Sequence, residues 1–264
     1  MSRFARALAR RFGYHLVRAD HYSPIPDVDA LPEALWVQPA PMPRVDLRLE
    51  KGLLLLEGSL SPYLSEHARV ENAMYPAVDS EVLYAMVRWL EPRRIVEVGA
   101  GFSTRVIREA IAAGGFACEH RVFDPLAEVE GAEPIAAEDI DDAVFAALAA
   151  GDILFIDTTH TVRPGGDVVR LLLEVLPALP PGVVVHIHDF FRPFEYPRWF
   201  MEDHGLYWQE QYLVQALLVG DRFEVLLANH ALGQLHHERL AALIPGLPPD
   251  VSPGSALWLR VRGT

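Results

Sequence analysis

One cysteine, Cys118, and one lysine, Lys51, are all that a chain of 264 residues holds of either type. A lone thiol closes no internal disulfide and offers no cysteine cluster to zinc, which fits a reducing, cytoplasmic compartment. Cys118 itself reads as a small half-buried hydrophobe. The arginine bias matches a GC-rich bacterial genome and carries no mechanism. Long apolar runs are missing too. The longest candidate, LLLEVLPALPPGVVV, is broken by Glu174, prolines and a glycine, so no segment is expected to span a membrane. Basic charge is also scarce. Against 36 acidic residues stand 23 basic ones, and the net charge of −13 repels phosphate backbones and anionic lipid, which excludes nucleic acid as a general partner. Internal repeats and low-complexity tracts are absent.

With 51% apolar and 22% charged residues, the chain has enough apolar surface for one large α/β core plus an extension, and disorder as the main state is excluded. Arg3, Arg6, Arg10 and Arg11 interrupt any secretory h-region and leave Phe4, Leu8 and Phe12 on one face of a short basic helix. That helix reads as docking on its own acidic domain or on a partner subunit, a route to a homo-oligomer, rather than on a membrane. Pro24, Pro26, Pro32, Pro39, Pro41 and Pro43 make 22–44 an extended wrapping segment. GLLLLEG at 52–58 reads as a strand. The expected division is an extension over 1–75 and a catalytic domain over 76–264.

From Pro76 the pattern is regular. A helix over 76–90 leads to a strand in RRIVEVGAG, then a helix to about Ala113. Strands follow at 118–124, 134–139, 152–157, 182–189, 223–229 and 256–261, with helices between most of them. The alternation predicts a doubly wound, mostly parallel, seven-stranded Rossmann-like sheet with helices on both faces. Ligands of such sheets sit outside the carboxyl ends of the strands.

After the first of these strands comes Glu97-Val98-Gly99-Ala100-Gly101-Phe102-Ser103-Thr104. Gly99 and Gly101 let backbone pass close under a ligand, and Ser103 opens a helix with free amides. The third glycine of a dinucleotide fingerprint is absent. Glu97 stands where such a fingerprint is apolar and suits the cationic amino-acid end of a cofactor. The run IVEVGAGFST resembles motif I of class I S-adenosylmethionine-dependent methyltransferases, with a dinucleotide enzyme as the alternative. Asp124, 23 residues beyond Gly101, is placed to accept hydrogen bonds from two ribose hydroxyls. Asp139 is placed at the adenine edge, or in a solvated acidic turn with Glu138, Asp141 and Asp142.

DILFIDTTHTVRPGGD and VVVHIHDFFRPFEYP end neighbouring strands about 4.8 Å apart. Asp157 and Asp189 therefore meet at the mouth of the site, where a proton or cation must separate them. Magnesium, or manganese if His188 joins, would do so through Asp157, His188 and Asp189. His186, deeper in the strand, reads as a core histidine. His160 is the candidate general base, since a neutral imidazole can take a proton from a hydroxyl near pH 7. Phe194, Tyr196, Trp199, Trp208 and Tyr212 are candidate lining or lid of an acceptor pocket, or simply core.

Between Tyr75 and Asn229 the chain resembles the family of macrocin and mycinamicin sugar O-methyltransferases and of cephalosporin hydroxylase-like proteins. The resemblance runs through VDSEVLYAMVRWLEPRRIVEVGAGFST, GDILFIDTTHTVRPGGDV, HIHDFFRPFEYP and WQEQYLVQALL. It implies a metal-binding aspartate and a catalytic histidine at Asp157 and His160, with Asp157 also facing the cofactor. The family's second acidic element is Glu-Asp and here reads His188-Asp189. The implied function is S-adenosylmethionine-dependent methylation of a hydroxyl on a sugar or natural product, metal-assisted. The alternatives are an iron hydroxylase at the same acidic mouth, or a cofactor-binding protein without turnover.

Overall fold

The computed structural model describes residues 3–67, 74–126, 128–244, 247 and 254–263. Six strands among them form one sheet: β1 (Arg94–Val98), β2 (Glu119–Phe123), β3 (Ile153–Ile156), β4 (Val184–Ile187), β5 (Phe223–Ala228) and β6 (Leu257–Val261). Their spatial order is β2-β1-β3-β4-β6-β5. The first four are parallel neighbours, and β6 is antiparallel to both β4 and β5. All the strands except β6 therefore end at the edge of the sheet where β6 begins.

Side chains along a strand point alternately to opposite faces, and both faces are covered. Ile95, Phe155, Val184 and Trp258 belong to a core shared with the helices Asp79–Leu90 and Phe102–Gly114. Val96, Leu154, Val185 and Leu259 belong to a second core. It includes Leu171 and Leu172 of the helical stretch after Asp167–Arg170, and Val214 and Leu218 of the helix Glu210–Leu218. Near-continuous burial on both sides explains why these strands read as apolar runs rather than as alternating ones.

Two expected strands are not strands. Residues 134–139 contain a short 3-10 turn, Ala137–Asp139, and the segment just before them meets β2 at a bridge between Phe123 and Glu133. Pro134 lacks a ladder donor and Glu138 and Asp139 favour a turn, so β2 remains an edge strand. The 52–58 run is helical, beginning with Leu49–Leu55 and continuing through the π turn Leu56–Leu60. Leu53, Leu56, Leu60 and Leu64 recur at helical spacing and are fully buried in the first core, while Leu54 is 63% exposed. A further helix, Asn229–Leu235, begins directly after β5.

The basic N-terminal helix is present over Arg3–Arg11. Leu8 on it and Phe12 just after it are exposed; the side chains of Arg3, Phe4 and Arg6 lie outside the described residues. The proline-rich segment wraps residues 190–208. Val28 and Trp36 pack against an aromatic cluster of Phe191, Tyr196 and Phe200, and the Ala40 amide donates to the Pro193 carbonyl at 2.7 Å. No helix among the described residues is long and apolar enough to cross a membrane.

Candidate active site

The turn after β1 is built around a buried carboxylate. Glu97 is fully buried: Oε1 accepts from Ser103 Oγ at 2.7 Å and Thr104 Oγ1 at 2.9 Å, and Oε2 lies 2.7 Å from His120 Nε2. Three donors offset the cost of burying this charge. Glu97 and Ser103, expected to face a ligand, face each other beneath the turn instead. Gly99 answers to the neighbouring strand. Its φ is +96°, and a Cβ there would lie 1.7 Å from the Asp157 carbonyl oxygen. Gly101 is different, because a Cβ on it would meet nothing within 4 Å. The space beside Gly101 is open.

A cleft of about 360 Å³ lies beside these strand ends, lined by Gly99, Asp124, Glu138, Asp157 and Thr159 among others. Its size falls within the range of small-molecule sites. Asp124 Oδ2 accepts from the Ala100 amide at 3.0 Å and Oδ1 from the Leu126 amide at 2.7 Å. Each oxygen keeps a second lone pair for a ligand hydroxyl. Asp139 points away: it is exposed on the turn, and the neighbouring Glu138 lines the cleft.

The ends of β3 and β4 converge on one imidazole. The β3–β4 register pairs Ile156 with Ile187, and the His188 amide donates to the Ile156 carbonyl at 2.9 Å. Asp157 and Asp189 thus emerge side by side, as expected for neighbouring parallel strands. His160 Nε2 lies 3.3 Å from Asp157 Oδ1 and 3.5 Å from Asp189 Oδ2, and its Nδ1 lies 2.7 Å from Glu210 Oε2. His160 and Asp189 both adopt left-handed backbone, φ +55° and +56°. Such strain in non-glycine residues concentrates at functional sites. Asp167 holds the loop next to His160, accepting from the Thr159 amide and hydroxyl, both at 2.8 Å. Ser255 Oγ, just before β6, donates to Asp189 Oδ1 at 2.8 Å.

Charge follows this geometry. Burial opposes protonation of His160, but Asp157, Glu210 and Asp189 outweigh it and raise the imidazole well above its ordinary value. That direction favours the protonated ring over the neutral base expected from the sequence. Burial opposes ionisation of Asp157, yet His188 and His160 bring it down to about 2. His188 is buried beneath the strand ends, stacked on Tyr75 at 4.9 Å, and its Nε2 is 3.8 Å from Asp189 Oδ1. Burial opposes its protonation too, but Asp157, Asp189 and Asp79 raise it.

This donor set does not fit a divalent ion. Among the described residues no group of three or more His, Cys, Asp or Glu is arranged to hold a metal. Of the expected ligands Asp157, His188 and Asp189, the two carboxylates both approach His160 Nε2, which lies between them.

Of the aromatic candidates, Trp208 reaches the site, its ring centroid 4.3 Å from that of His160. Tyr196 is core, Trp199 is half exposed, and the Tyr212 hydroxyl donates to Glu195 Oε1 at 2.6 Å. Sequence reasoning missed Glu210, Asp167, Ser255 and His120. The one available signal was Glu210 at the start of an expected helix, where a carboxylate reads as routine dipole compensation.

Residues 96–190, from β1 to just past β4, match the family model described as "Methyltransferase domain". No curated protein matches the sequence. Among solved structures, the SAH-bound methyltransferase PaMTH1 of Podospora anserina aligns with a TM-score of 0.42 at 14% identity, covering 78% of this chain and 88% of that one. The family match puts a methyltransferase domain over the strand ends just described, and the enzyme class it supports is an S-adenosylmethionine-dependent methyltransferase.

Proposed function

We propose that the protein methylates a hydroxyl of a small molecule, a sugar or other natural product, with S-adenosylmethionine as donor. The observation that carries this reading is His160 Nε2, held between Asp157 and Asp189, with Asp157 itself lining the cleft together with Asp124. Asp124 holds the ribose hydroxyls, and the open face of Gly101 admits the methionine end. The bound donor supplies an electrophilic methyl on a sulfonium.

His160 Nε2 takes the acceptor hydroxyl's proton as the oxygen forms its bond to the methyl carbon. The carbon–sulfur bond breaks with its electron pair left on sulfur. Asp157 and Asp189 stabilise the imidazolium so formed, which is charge stabilisation by preplaced groups rather than by solvent. Because the resting ring is already protonated, the rate rises with pH above neutrality as His160 becomes free to accept. No step requires a metal ion, and nothing in the geometry favours the iron hydroxylase alternative. General-base groups contribute about 10²–10⁴-fold. His160→Ala is expected to lose about that much in kcat for methyl transfer while binding S-adenosylhomocysteine normally. An unchanged rate in that variant would remove His160 from the mechanism.

A further inference from the structure

We propose that Ser255 is the positioning residue for Asp189, fixing which carboxylate oxygen faces His160. The inference rests on the hydroxyl-methylation reading of this site. An aspartate at a strand end can turn either oxygen toward a neighbour. Ser255 Oγ donates to Asp189 Oδ1 at 2.8 Å, which leaves Oδ2 as the oxygen 3.5 Å from His160 Nε2. His188 Nε2 approaches the same Oδ1, but at 3.8 Å it is beyond hydrogen-bond reach. Ser255 also holds the backbone, because its carbonyl accepts from the Phe190 amide at 2.8 Å. One residue thus grips the Asp189 side chain and the peptide that follows it, at a place where φ is +56°. Left-handed backbone in a non-glycine residue persists where its surroundings over-determine it.

Ser255 is itself buried and fixed from below. It lies in the irregular segment directly before β6, and the group that holds this segment is Asp79, fully buried at the start of the helix Asp79–Leu90. Asp79 Oδ2 accepts from the Ser255 amide at 2.6 Å, and Oδ1 accepts from the Ala256 amide at 3.0 Å and from Asn229 Nδ2 at 2.8 Å. The start of a helix, the residue after β5 and the residues before β6 are thereby joined beneath Asp189. Two local conformations accompany this junction. Val78, β-branched, takes a φ of +76° to lead into Asp79. Gly254 has a φ of +75°, and a Cβ on it would lie 2.4 Å from Asp79 Oδ1, so only glycine fits beside the buried carboxyl. If residue 255 served only to start β6, its amide and carbonyl would suffice. The hydroxyl is the part directed at Asp189.

The test is Ser255→Ala, which removes the hydroxyl and keeps the amide and carbonyl bonds. With a hydrogen bond to a charged group lost, kcat for methyl transfer is expected to fall about tenfold or more at unchanged KM for the methyl donor. A double-mutant cycle tests whether the effect runs through Asp189: in the Asp189→Ala background, Ser255→Ala is expected to change kcat by less than about twofold. A single-variant kcat within about threefold of wild type, or a loss in the Asp189→Ala background as large as in the wild type, would overturn the proposal. If Asp189→Ala is too slow to measure, Ser255→Thr, which retains the hydroxyl, decides. A kcat at least about fivefold above that of Ser255→Ala supports the proposal, and a kcat equal to it overturns it. Chemical unfolding of the same four proteins of the cycle needs no activity. A coupling of at least about fivefold between the two sites in the unfolding equilibrium constant is expected, and additive losses would show that Ser255 does not hold Asp189. If the wild type transfers no methyl group, the methylation reading fails, and the unfolding cycle decides on its own whether Ser255 holds Asp189.

Discussion

His160 concentrates the chemistry of the site in one side chain: three carboxylates approach its two nitrogens, and its backbone is held left-handed. Holding the imidazolium stabilises the fold, with a definite pH dependence. The folded-state pKa lies above the ordinary 6.5, so this stabilisation is complete below about pH 6.5 and is lost as pH rises through the folded value. Denaturant unfolding of wild type and His160→Gln between pH 5 and 9 should therefore show a stability difference that narrows as pH increases. A difference independent of pH would show that the ring is neutral in the folded protein. Asp157 behaves oppositely: lowered to about 2, it contributes above the unfolded carboxylate value of about 3.9, and that contribution is lost as pH falls toward 2. At this scale the sequence was informative about strand-end residues and uninformative about their orientation. The D-x-x-H spacing and the two strand ends sufficed to find Asp157, His160 and Asp189. Nothing in the spacing foretold that Ser103 would turn inward to Glu97, or that Glu210, fifty residues from His160, would become its nearest partner.

At the scale of elements, β1, β3 and β4 were legible because strands buried on both faces must be apolar throughout. The errors fell where two periods fit equally well. In GLLLLEG every position from Leu53 to Leu56 is apolar, so alternation and helical spacing cannot be separated within the run. Leu60 and Leu64 beyond it decide the matter, and the helix turns Leu54 outward. Leu56→Ala is therefore expected to cost about 2–5 kcal/mol, and Leu54→Ala less than about 0.5 kcal/mol, in chemical unfolding. A strand would place positions 54 and 56 on the same face, so equal losses would contradict the helix. Residues 134–139 illustrate the converse. With a proline at the start and acids at the end, Ile135 alone cannot make a seventh strand, and that part of the chain instead brings Ala136–Glu138 to the wall of the cleft. The aromatic segment 190–208 reads ambiguously for a third reason. Its rings pack mainly on one another and on Trp36 of the proline-rich wrap, a long-range contact that local pattern does not encode.

For the whole molecule, the −13 net charge has a structure of its own. Glu97 is internal and hydrogen-bonded by Ser103, Thr104 and His120, Asp157 and Asp189 are bridged by His160, and Asp124 stands at the cleft with lone pairs to spare. The acidic stretch from Glu128 to Asp142 remains largely at the surface. The molecule is therefore a two-faced α/β sheet whose strand ends gather the cleft and the carboxylate-flanked His160. The claim on which everything else depends is that the cleft holds the adenosyl group through Asp124. Isothermal titration of S-adenosylhomocysteine into the wild type and Asp124→Ala, each with magnesium and with a chelator, tests it directly. Hydrogen bonds to a charged group contribute about 1.5–3 kcal/mol each, so saturable wild-type binding in both conditions should weaken at least about tenfold in the variant. Absence of binding to the wild type in both conditions would contradict the account.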